Sequence, residues 1–364
     1  MKNSKIILTL DAGGTNFLFS AMQDGREIVQ PFHLSTDSSQ IDICINQLKT
    51  GFGEVIRQLP EAPAAISFAF PGPADYPQGI IGDLPNFPCF KGGVPLGPIL
   101  EEAFGIPVFI NNDGDLFAYG EALAGALPEI NTRLEAMGSS KRFHNLIGVT
   151  LGTGYGCGVV INGRLLQGDN SAGGDIWCFR NKKFPEMIVE ESVSIRAVKR
   201  VYAELSGDAA PFTPKDIFDI AEGTRAGHRE AARASFAQLG EVAGEALASA
   251  VTLVDGIIVI GGGLAGAAKY IVPALTAELN STLTSFSGKT FPHLQMQAFN
   301  LEEESEWKAF AKGNATLLPV PGSDRTVVYD SMKRIGVMVT SRKTSQSIAL
   351  GAYAYALNQL EQKG

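Results

Sequence analysis

The sequence predicts an α/β fold in two lobes whose sheets are largely parallel. Short apolar runs typical of buried strands alternate with longer stretches in which apolar residues recur at helical spacing. The pattern of strand, glycine turn and strand at residues 6–21 recurs at residues 146–161, which indicates two lobes of related topology. A length of 364 residues also agrees with two domains of about 150 residues each.

The first lobe opens with a strand, a glycine-rich turn and a second strand. Residues 6–10 are mostly apolar, residues 11–16 form the turn, and residues 17–21 continue as the second strand. Residues 41–56 carry apolar side chains at helical spacing and are predicted to form a helix.

Two further strands and two helices follow in this lobe. Residues 64–70 form an apolar strand that ends in a proline-glycine-proline turn. Residues 107–110 form another, which ends in two asparagines and an aspartate. Residues 96–104 and 116–123 are predicted helices.

The second lobe repeats this opening. Polar residues 131–145 suit an exposed connection, and residues 146–161 again form a strand, a glycine turn and a strand. The apolar segment 247–268 contains one charged residue. We interpret this segment as a helix end, a turn and a buried strand at 257–260 rather than as a membrane span.

The remainder of the chain, from residue 190 onward, is mostly helical in its periodicity. It also contains a strand-like piece at 336–340 and a last helix at 347–359. We expect one smaller and one larger lobe. The predicted boundaries are residues 1–124 plus 348–364 for the smaller lobe and residues 125–347 for the larger.

Composition and charge exclude several functional classes. A chain that is 45% hydrophobic and 19% charged is not a disordered scaffold. The formal net charge of -8, with no dense basic cluster, disfavours binding to nucleic acid or to membrane surfaces. Four scattered cysteines without a Cys-x-x-Cys pair favour reduced thiols, and the first ten residues are too few for a signal peptide. We therefore expect a cytoplasmic protein.

Three glycine-rich turns each follow an apolar strand. They are Gly13-Gly14-Thr15, residues 152–158, and Gly261-Gly262-Gly263. Glycine lets a ligand approach the backbone closely, and N–H groups exposed in such turns can hold phosphate oxygens. One such turn is as often a plain tight turn, but three, with hydroxyls from Thr15 and Thr153, indicate a phosphate ligand. None matches the Walker or dinucleotide motifs.

The order and spacing of seven short motifs resemble those of the ROK family. The motifs are Asp11-Ala-Gly-Gly-Thr15, Pro71-Gly72-Pro73, Leu84-Pro85-Asn86, Asn112-Asp113, Gly120-Glu121, Leu151-Gly-Thr-Gly154 and Ile260-Gly-Gly-Gly263. The family comprises sugar kinases and sugar-responsive repressors with the actin-like, hexokinase-like ATPase fold, a ribonuclease H-like architecture of two lobes around a cleft. Repressor members carry a helix-turn-helix before the first turn, whereas ten residues precede Asp11 here, so we expect the kinase branch.

The resemblance implies ATP as the phosphoryl donor, with magnesium, and it implies that the smaller lobe serves sugar and phosphate while the larger lobe binds the nucleotide. The implied nucleotide-binding residues are Asp11, Gly13, Gly14, Thr15, Asn16, Gly152, Thr153, Gly154, Gly262 and Gly263. Asp11 would hold Mg²⁺ through water, because that ion keeps much of its hydration. A turn-capping role for Asp11, and a plain strand-to-helix turn at Gly262 and Gly263, are the structural alternatives.

Asp113 resembles the family's catalytic base. A carboxylate at the end of a rigid strand could accept the proton of a sugar hydroxyl that attacks the γ-phosphoryl group. The alternative is a helix N-cap for residues 116–123, a role that Asp115 would fill equally well. The resemblance also implies sugar contacts from Asn86 and Asn112, and a close backbone approach at Gly72.

The sequence departs from the family after the second glycine turn. The family's zinc-binding cysteine cluster has no counterpart in residues 179–189, so we expect no zinc. Asp175 aligns with a sugar-binding Glu, which leaves Cys178 in place of a His; a shift by one residue would place Gly174 and Trp177 there instead. Trp177 could stack on a sugar or pack in the core.

Glu190 follows from the same alignment, whereas the expectation for Cys157 comes from its residue type. Glu190, with Ser194 four residues later, fits the family's sugar-binding Glu and Ser, although Glu191 is a competitor. Cys157, inside the second glycine turn, is expected to pack as a small apolar side chain.

The leading function is ATP-dependent phosphorylation of a glucose-like hexose at its primary hydroxyl. An N-acetylhexosamine kinase, and a non-catalytic sugar-binding sensor of the same fold, are the alternatives. An actin-like ATPase that acts on a non-sugar ligand would explain the missing zinc cluster but not Asn86, Asn112 and Glu190. The resemblance further implies a homodimer, with a small-molecule sugar as substrate and neither nucleic acid nor membrane as partner.

Overall fold

The computed structural model describes residues 5–12, 16–37, 39–82, 84 and 88–362. The chain divides into two units. The first unit comprises Met1–Gly125, Arg164–Gly174 and Arg342–Gly364, and the second comprises Ala126–Gly163 and Asp175–Ser341.

This division differs from the predicted boundaries, which placed Gly125 and residues 164–174 and 342–347 in the second lobe. Residues 164–174 belong to the first unit through Gln167. Its amide donates a hydrogen bond to Asn111 at 2.8 Å and accepts one from the Tyr355 hydroxyl at 3.1 Å.

The strands alternate with helices through much of the chain. The strands are β1 (Ile7–Ala12), β2 (Asn16–Gln23), β3 (Arg26–Glu27), β4 (Phe32–Ser35), β5 (Ala65–Ala69), β6 (Ala74–Asp75), β7 (Ile80–Ile81), β8 (Val108–Asn111), β9 (Leu146–Leu151), β10 (Tyr155–Ile161), β11 (Arg164–Leu165), β12 (Ile257–Gly261), β13 (Thr282–Thr284), β14 (Thr290–Pro292), β15 (Gln297–Asn300), β16 (Ala315–Pro319), β17 (Thr326–Asp330) and β18 (Arg334–Val339). The α-helices are α1 (Ile41–Ile56), α2 (Leu96–Phe104), α3 (Asp113–Leu123), α4 (Ala126–Ala136), α5 (Ile195–Ser206), α6 (Pro214–Glu222), α7 (Arg229–Val254), α8 (Ala268–Leu279), α9 (Glu304–Lys312) and α10 (Thr344–Gln362).

The sheet of the first unit has the strand order β3-β2-β1-β5-β8, with β4 beside β2. Strands β1, β5 and β8 are parallel, and β1 is antiparallel to β2. All five residues of β5 are buried, as expected for a central parallel strand that is covered on both faces. One face is covered by the apolar stripe of α1, which includes Leu48, Phe52 and Val55.

Helices α3 and α10 cross at close range in the first unit. A Cβ at Gly351 would overlap the carbonyl oxygen of Leu116, and one at Gly120 would overlap that of Ser347. The Ser347 hydroxyl also donates a hydrogen bond to the buried carboxylate of Glu121 at 2.5 Å. Because neither glycine carries a side chain, the two helix backbones touch, and this contact fixes the helix that begins at Asp113.

The sheet of the second unit includes β10-β9-β12-β18-β15 in that order. Strands β9, β12, β18 and β15 are parallel, and β10 is antiparallel to β9. Each unit therefore starts with an antiparallel pair and continues with parallel strands, which confirms the repeat predicted from the sequence. The long helix α7 packs closely on α8, since a Cβ at Gly240 would overlap the carbonyl oxygen of Ile271.

The apolar segment 247–268 is divided as predicted. Helix α7 ends at Val254, Asp255 adopts the left-handed conformation with φ of 47°, and the buried strand β12 begins at Ile257. Within the described ranges, none of the helices combines the length and apolar character that crossing a bilayer requires.

Two other predictions from the sequence are wrong. Residues 131–136 are not an exposed connection but the second half of α4, because Ile130 and Leu134 are buried on one helix face. The chain after residue 190 is less helical than predicted. It contains two hairpins, β13–β14 and β16–β17, whose strands are exposed on both faces and so lack the alternation typical of half-buried strands.

Candidate functional site

The first unit gathers candidate residues at one edge of its sheet. Because β1, β5 and β8 are parallel, their carboxyl ends lie at the same edge. Asp11 is near the end of β1, Gly72 follows β5, and Asn112 and Asp113 follow β8. This edge is where open α/β sheets bind ligands.

Asp113 is the first residue of α3, and its tip reaches solvent. The surrounding protein nevertheless displaces most of the bulk water around its carboxyl, and this desolvation raises the pKa of Asp113. Hydrogen bonds from the backbone amides of Asp113 and Gly114 lower the pKa, and the negative charge of Asp11 raises it. Desolvation likewise raises the pKa of Asp11. The two carboxylates are therefore close enough to repel one another.

Asn112 is the N-cap of α3. Its side-chain oxygen accepts a hydrogen bond from the Gly114 amide at 2.8 Å, and the same amide also donates to Asp113 at 2.8 Å. The prediction that Asp115 fills the cap is wrong, since Asp115 lies buried within the first turn of the helix. Asn112 supplies the cap that the sequence assigned to an aspartate, and Asp113 is not needed in that role.

Tyr76 contacts residues at this edge of the sheet, and it was not predicted from the sequence as a site residue. Its buried hydroxyl donates to the carbonyl of Phe70 at 2.9 Å and accepts from the side-chain amide of Asn112 at 3.5 Å. A Cβ at Gly72 would lie 3.1 Å from the same hydroxyl. Tyr76 thus positions both predicted sugar contacts; its position three residues after the Pro71-Gly72-Pro73 turn is the only signal in the sequence.

The second unit places two of the glycine turns at neighbouring strand ends. Gly152 follows β9 and Gly262 follows β12, and these two strands are parallel neighbours. Gly262 has φ of +89°, and a Cβ there would overlap the backbone of Leu151. By contrast, nothing lies within 4 Å of a Cβ built at Gly152 or at Gly263. Gly262 is required by packing, whereas Gly152 and Gly263 leave open space that a ligand could approach.

Glu190 contacts the turn between β9 and β10. One carboxylate oxygen accepts a hydrogen bond from the Tyr155 amide at 3.0 Å. A Cβ at Gly154 would lie 2.8 Å from that oxygen, so a side chain at Gly154 would displace the carboxylate. The predicted sugar-binding Glu and the predicted phosphate-binding turn are therefore in direct contact.

Arg196, on the first turn of α5, holds the same turn from its other side. Its guanidinium lies 2.9 Å from the second oxygen of Glu190 and 2.7 Å from Glu191, and it donates to the carbonyl of Thr153 at 3.3 Å. Hydrogen bonds from Arg196 lower the pKa of Glu191. Glu191 thus anchors the arginine, and Glu190 is the acid that touches the turn. Sequence reasoning missed Arg196 because no motif marks it.

A buried asparagine orders the segment that carries Glu190. The Asn181 amide donates to Ile188 O at 3.2 Å and to Ser192 Oγ at 2.8 Å, and its oxygen accepts from the amides of Lys183 and Phe184 at 3.0 and 3.2 Å. These four bonds use the full capacity of an amide side chain. Asn181 therefore stabilises this segment whether or not a ligand is bound.

The Asp175 segment is exposed. Asp175 precedes a short 3₁₀ helix, Ile176–Cys178, without capping it. Trp177 is 40% exposed, so the interpretation as a core side chain is wrong. Cys157 is buried in the core of the second unit, as predicted.

Four residues of the predicted nucleotide and sugar sites have no described position. Gly13, Gly14, Thr15 and Asn86 lie outside the described residues. Asn16 is exposed at the start of β2.

The described residues include one grouping of metal-ligand type, formed by Glu245, Glu278 and His293. The ammonium of Lys182 lies 2.6 Å from Glu278 and 3.7 Å from Glu241. A lysine cation therefore already offsets part of the negative charge of this cluster, and the absence of zinc remains a prediction.

Several known proteins are similar to this chain in sequence or in structure. The sequence profile of the ROK family matches residues 7–305. The crystal structure of a glucokinase from Parabacteroides distasonis is 61% identical, with a TM-score of 0.91 and a match that covers 98% of each chain. A glucokinase from Thermotoga maritima is 28% identical over 179 residues, 47% of this chain and 49% of that one. The match thus spans about half the length of that curated relative.

A second sugar class occurs among the relatives. An N-acetyl-D-glucosamine kinase from Aliivibrio salmonicida is 24% identical over 238 residues, 61% of this chain and 72% of that one. Identity at this level does not discriminate between the two sugars.

Proposed function

The chain belongs to the ROK family as a glucokinase-like member, and we propose that it transfers the γ-phosphoryl group of ATP to the primary hydroxyl of a hexose. The family match and the 61% identical structure confirm the family and the actin-like ATPase fold expected from the sequence. The observation that carries the proposal is Asp113, a carboxylate with a raised pKa at the carboxyl edge of the sheet.

Asp113 acts as the general base. The sugar hydroxyl gives its proton to the carboxylate as its oxygen bonds to the γ-phosphorus, and the bond from that phosphorus to the bridging oxygen of ADP breaks. A raised pKa suits this role, because a stronger base accepts the proton more readily at neutral pH.

Asp11 and the glycine turns serve the nucleotide. Asp11 would hold Mg²⁺, which supplies positive charge to the phosphates. The donor fits the ion, because a cation beside Asp11 would also offset its repulsion of Asp113. Gly152, Thr153, Gly154, Gly262 and Gly263, with Gly13, Gly14, Thr15 and Asn16, complete the proposed nucleotide site.

The proposed sugar site combines hydrogen-bond donors and hydrogen-bond acceptors. Asn112, with Asn86, would donate to and accept from hydroxyls, and the backbone at Gly72 would approach the ring. Glu190 and Asp175 would accept further hydroxyl hydrogens. We also propose that Trp177 stacks on the sugar.

Two alternatives remain within the same fold. The N-acetyl-D-glucosamine kinase relative supports an N-acetylhexosamine as substrate. A non-catalytic sugar sensor is the other, but a protein that only binds sugar has no need of two neighbouring carboxylates such as Asp11 and Asp113. We further propose a cytoplasmic homodimer without zinc. None of the four cysteines, all of which lie in the described part of the chain, forms a disulfide.

A coupled ADP-release assay tests the function. The protein is assayed with glucose, mannose, fructose, N-acetylglucosamine and N-acetylmannosamine, each with ATP and Mg²⁺. We expect turnover with glucose and weak or no turnover with the acetylated sugars. Calorimetric binding of a sugar without ADP release would favour the sensor, and turnover confined to an acetylated sugar would favour the alternative kinase.

A further inference from the structure

The segment 164–174 of the first unit closes into a loop. The backbone amide of Gly173 donates a hydrogen bond to the carbonyl of Gln167 at 3.1 Å. A Cβ at Gly173 would lie 2.8 Å from the carbonyl oxygen of Leu166, so the chain passes close to itself at this point. The loop therefore fixes the backbone from which the side chain of Gln167 extends.

Ser171 ties this loop to a residue that supports the proposed sugar site. Its hydroxyl oxygen accepts a hydrogen bond from the backbone amide of Tyr76 at 3.3 Å, and the hydroxyl of Tyr76 contacts the side chain of Asn112. Ser171 has φ of 54°, a left-handed conformation that is uncommon for serine and that surrounding contacts must maintain. The loop is thus a built feature of the carboxyl edge of the first sheet.

The side chain of Gln167 links helix α10 to strand β8. Its nitrogen donates a hydrogen bond to the side-chain oxygen of Asn111 at 2.8 Å, and its oxygen accepts one from the hydroxyl of Tyr355 at 3.1 Å. The ring of Tyr355 packs edge-on against Phe109, with 6.1 Å between the ring centroids. Phe109 and Asn111 lie on the same face of β8. Gln167 and Tyr355 therefore contact one face of this strand together.

The position of Asn111 depends on Gln167. Asn111 is the last residue of β8 and is completely buried. Within the described part of the chain, its side-chain nitrogen has no hydrogen-bond partner, whereas its side-chain oxygen is bonded to Gln167. Its backbone carbonyl accepts the amide of Phe70 at 2.9 Å. Because a buried amide that loses its hydrogen bond is destabilising, removal of Gln167 would favour a displaced strand end.

We propose that Gln167 is a positioning residue for the proton transfer, which holds the end of β8 so that the carboxylate of Asp113 meets the sugar hydroxyl. Asp113 follows Asn111 by two positions, and Gln167 acts through Asn111 rather than on the substrate. The proposal rests on the general base proposed above. A displacement of about 1 Å at a reacting group can lower the rate by about 100-fold, so one hydrogen bond at this strand end should have a measurable effect.

A double-mutant cycle between Gln167 and Asp113 tests this role. Gln167→Met keeps the approximate length of the side chain and removes both hydrogen bonds. With glucose as the substrate, we expect kcat to fall by about 10-fold to 100-fold. In the Asp113→Asn background, the same substitution should lower kcat by less than about threefold, because the group that it positions can no longer accept a proton. A loss of folded protein would instead lower kcat by the same factor in both backgrounds.

Gln58→Met is the matched control for this substitution. The side chain of Gln58 also uses both ends of its amide, since it accepts from the amide of Gln30 at 3.2 Å and donates to the carbonyl of Glu54 at 3.5 Å. It lies just after α1 and before β5 begins, away from the end of β8. We expect this variant to keep the kcat of the parent.

Tyr355→Phe tests the same link from its other end. This change removes the donor to Gln167 but leaves the bond to Asn111, so kcat should fall by a smaller factor, about 3-fold to 10-fold. Tyr353→Phe is its control, because Tyr353 lies on the same helix but its hydroxyl accepts the amide of Asp24. The control should turn over glucose like the parent.

The outcomes separate this role from the proposed function. An unchanged kcat in Gln167→Met, or an equal loss in both backgrounds, would overturn the positioning role alone. A parent that releases no ADP with any sugar would overturn the proposed function and the positioning role together. If Gln167→Met does not fold, the cycle is run with Tyr355→Phe, and an equal loss with and without Asp113→Asn would again overturn the assignment.

Discussion

The guanidinium of Arg196 lies 2.9 Å from the carboxylate of Glu190 and reaches past it to the carbonyl of Thr153. The same carboxylate accepts the Tyr155 amide. A residue proposed to bind sugar and a turn proposed to bind phosphate are thus held by one side chain. Neither group can shift without moving the other.

Replacement of Arg196 by Ala should therefore affect both substrates. Loss of a charge-assisted hydrogen bond to Glu190 is expected to lower kcat/KM for sugar and for ATP by about tenfold or more, with partial recovery in Arg196→Lys. Arg200→Ala is the matched control, because Arg200 lies one turn further along the same helix and pairs with Glu204. Both pairs are partly exposed, so the melting temperature should change little. Equal kinetics in the two alanine variants would refute the role of Arg196.

Asp113→Asn tests the general base. The amide keeps the size of the side chain but cannot accept a proton, so turnover should fall by about two to four orders of magnitude. Sugar affinity, measured by calorimetry, should be retained. Because Asn112 already caps α3, loss of activity could not be attributed to loss of the cap. Turnover close to that of the parent would remove Asp113 from the mechanism.

The raised pKa of Asp113 predicts a pH dependence of both rate and stability. The base must be ionised, so kcat/KM should fall with decreasing pH through a pKa above the ordinary aspartate value of about 3.9. Since the folded-state pKa exceeds the unfolded one, the folded protein binds more protons in between, and stability falls as pH rises through that window. At pH 7, Asp113→Asn should therefore melt at a higher temperature than the parent. A lower melting temperature would contradict the direction of the shift.

Tyr76→Phe tests the position of Asn112. Removal of the hydroxyl leaves the Phe70 carbonyl without this donor and frees the Asn112 amide. The KM for sugar should rise by about 3-fold to 30-fold, with a smaller change in the KM for ATP. Tyr353→Phe provides the control, because that hydroxyl accepts the Asp24 amide at 2.9 Å in the same unit. If both variants raise the KM equally, the effect is general rather than local.

Gly262→Ala and Gly263→Ala separate packing from ligand approach. The Cβ at Gly262 would meet the backbone of Leu151, at a positive φ, so this variant should lose about 2–4 kcal/mol of stability. Nothing lies near a Cβ at Gly263, so Gly263→Ala should melt like the parent but bind ATP more weakly. Unchanged ATP binding in Gly263→Ala would leave that turn without a nucleotide role.

Local patterns predicted much of the fold. The apolar runs that became β1, β5, β9 and β12 are short, buried and followed by turns. The hairpins at 282–292 and 315–330 escaped prediction because their strands have no buried face.

The candidate site was only partly predictable, for a similar reason. Asn112 and Asp113 stand beside a strand end and could be identified from that position. Tyr76, Asn181 and Arg196 act through contacts with loops, which spacing along the chain does not encode. The N-cap of α3 is Asn112 rather than Asp115 because the helix begins three residues earlier than predicted. The exact start of a helix is difficult to predict from sequence.

The close crossing of α3 and α10 also bears on how the protein is made. The buried hydrogen bond between Glu121 and Ser347 joins residues 226 positions apart. Helix α3, which carries Asp113, cannot acquire its final packing until the ribosome has released residues beyond 350. A nascent chain that ends at residue 341 contains β9, β10, β12, β15 and β18 of the second sheet but lacks α10, so the helix that carries Asp113 is not yet packed. Contacts of such long range form slowly, so the appearance of phosphorylating activity should lag behind the burial of the second unit's core during refolding.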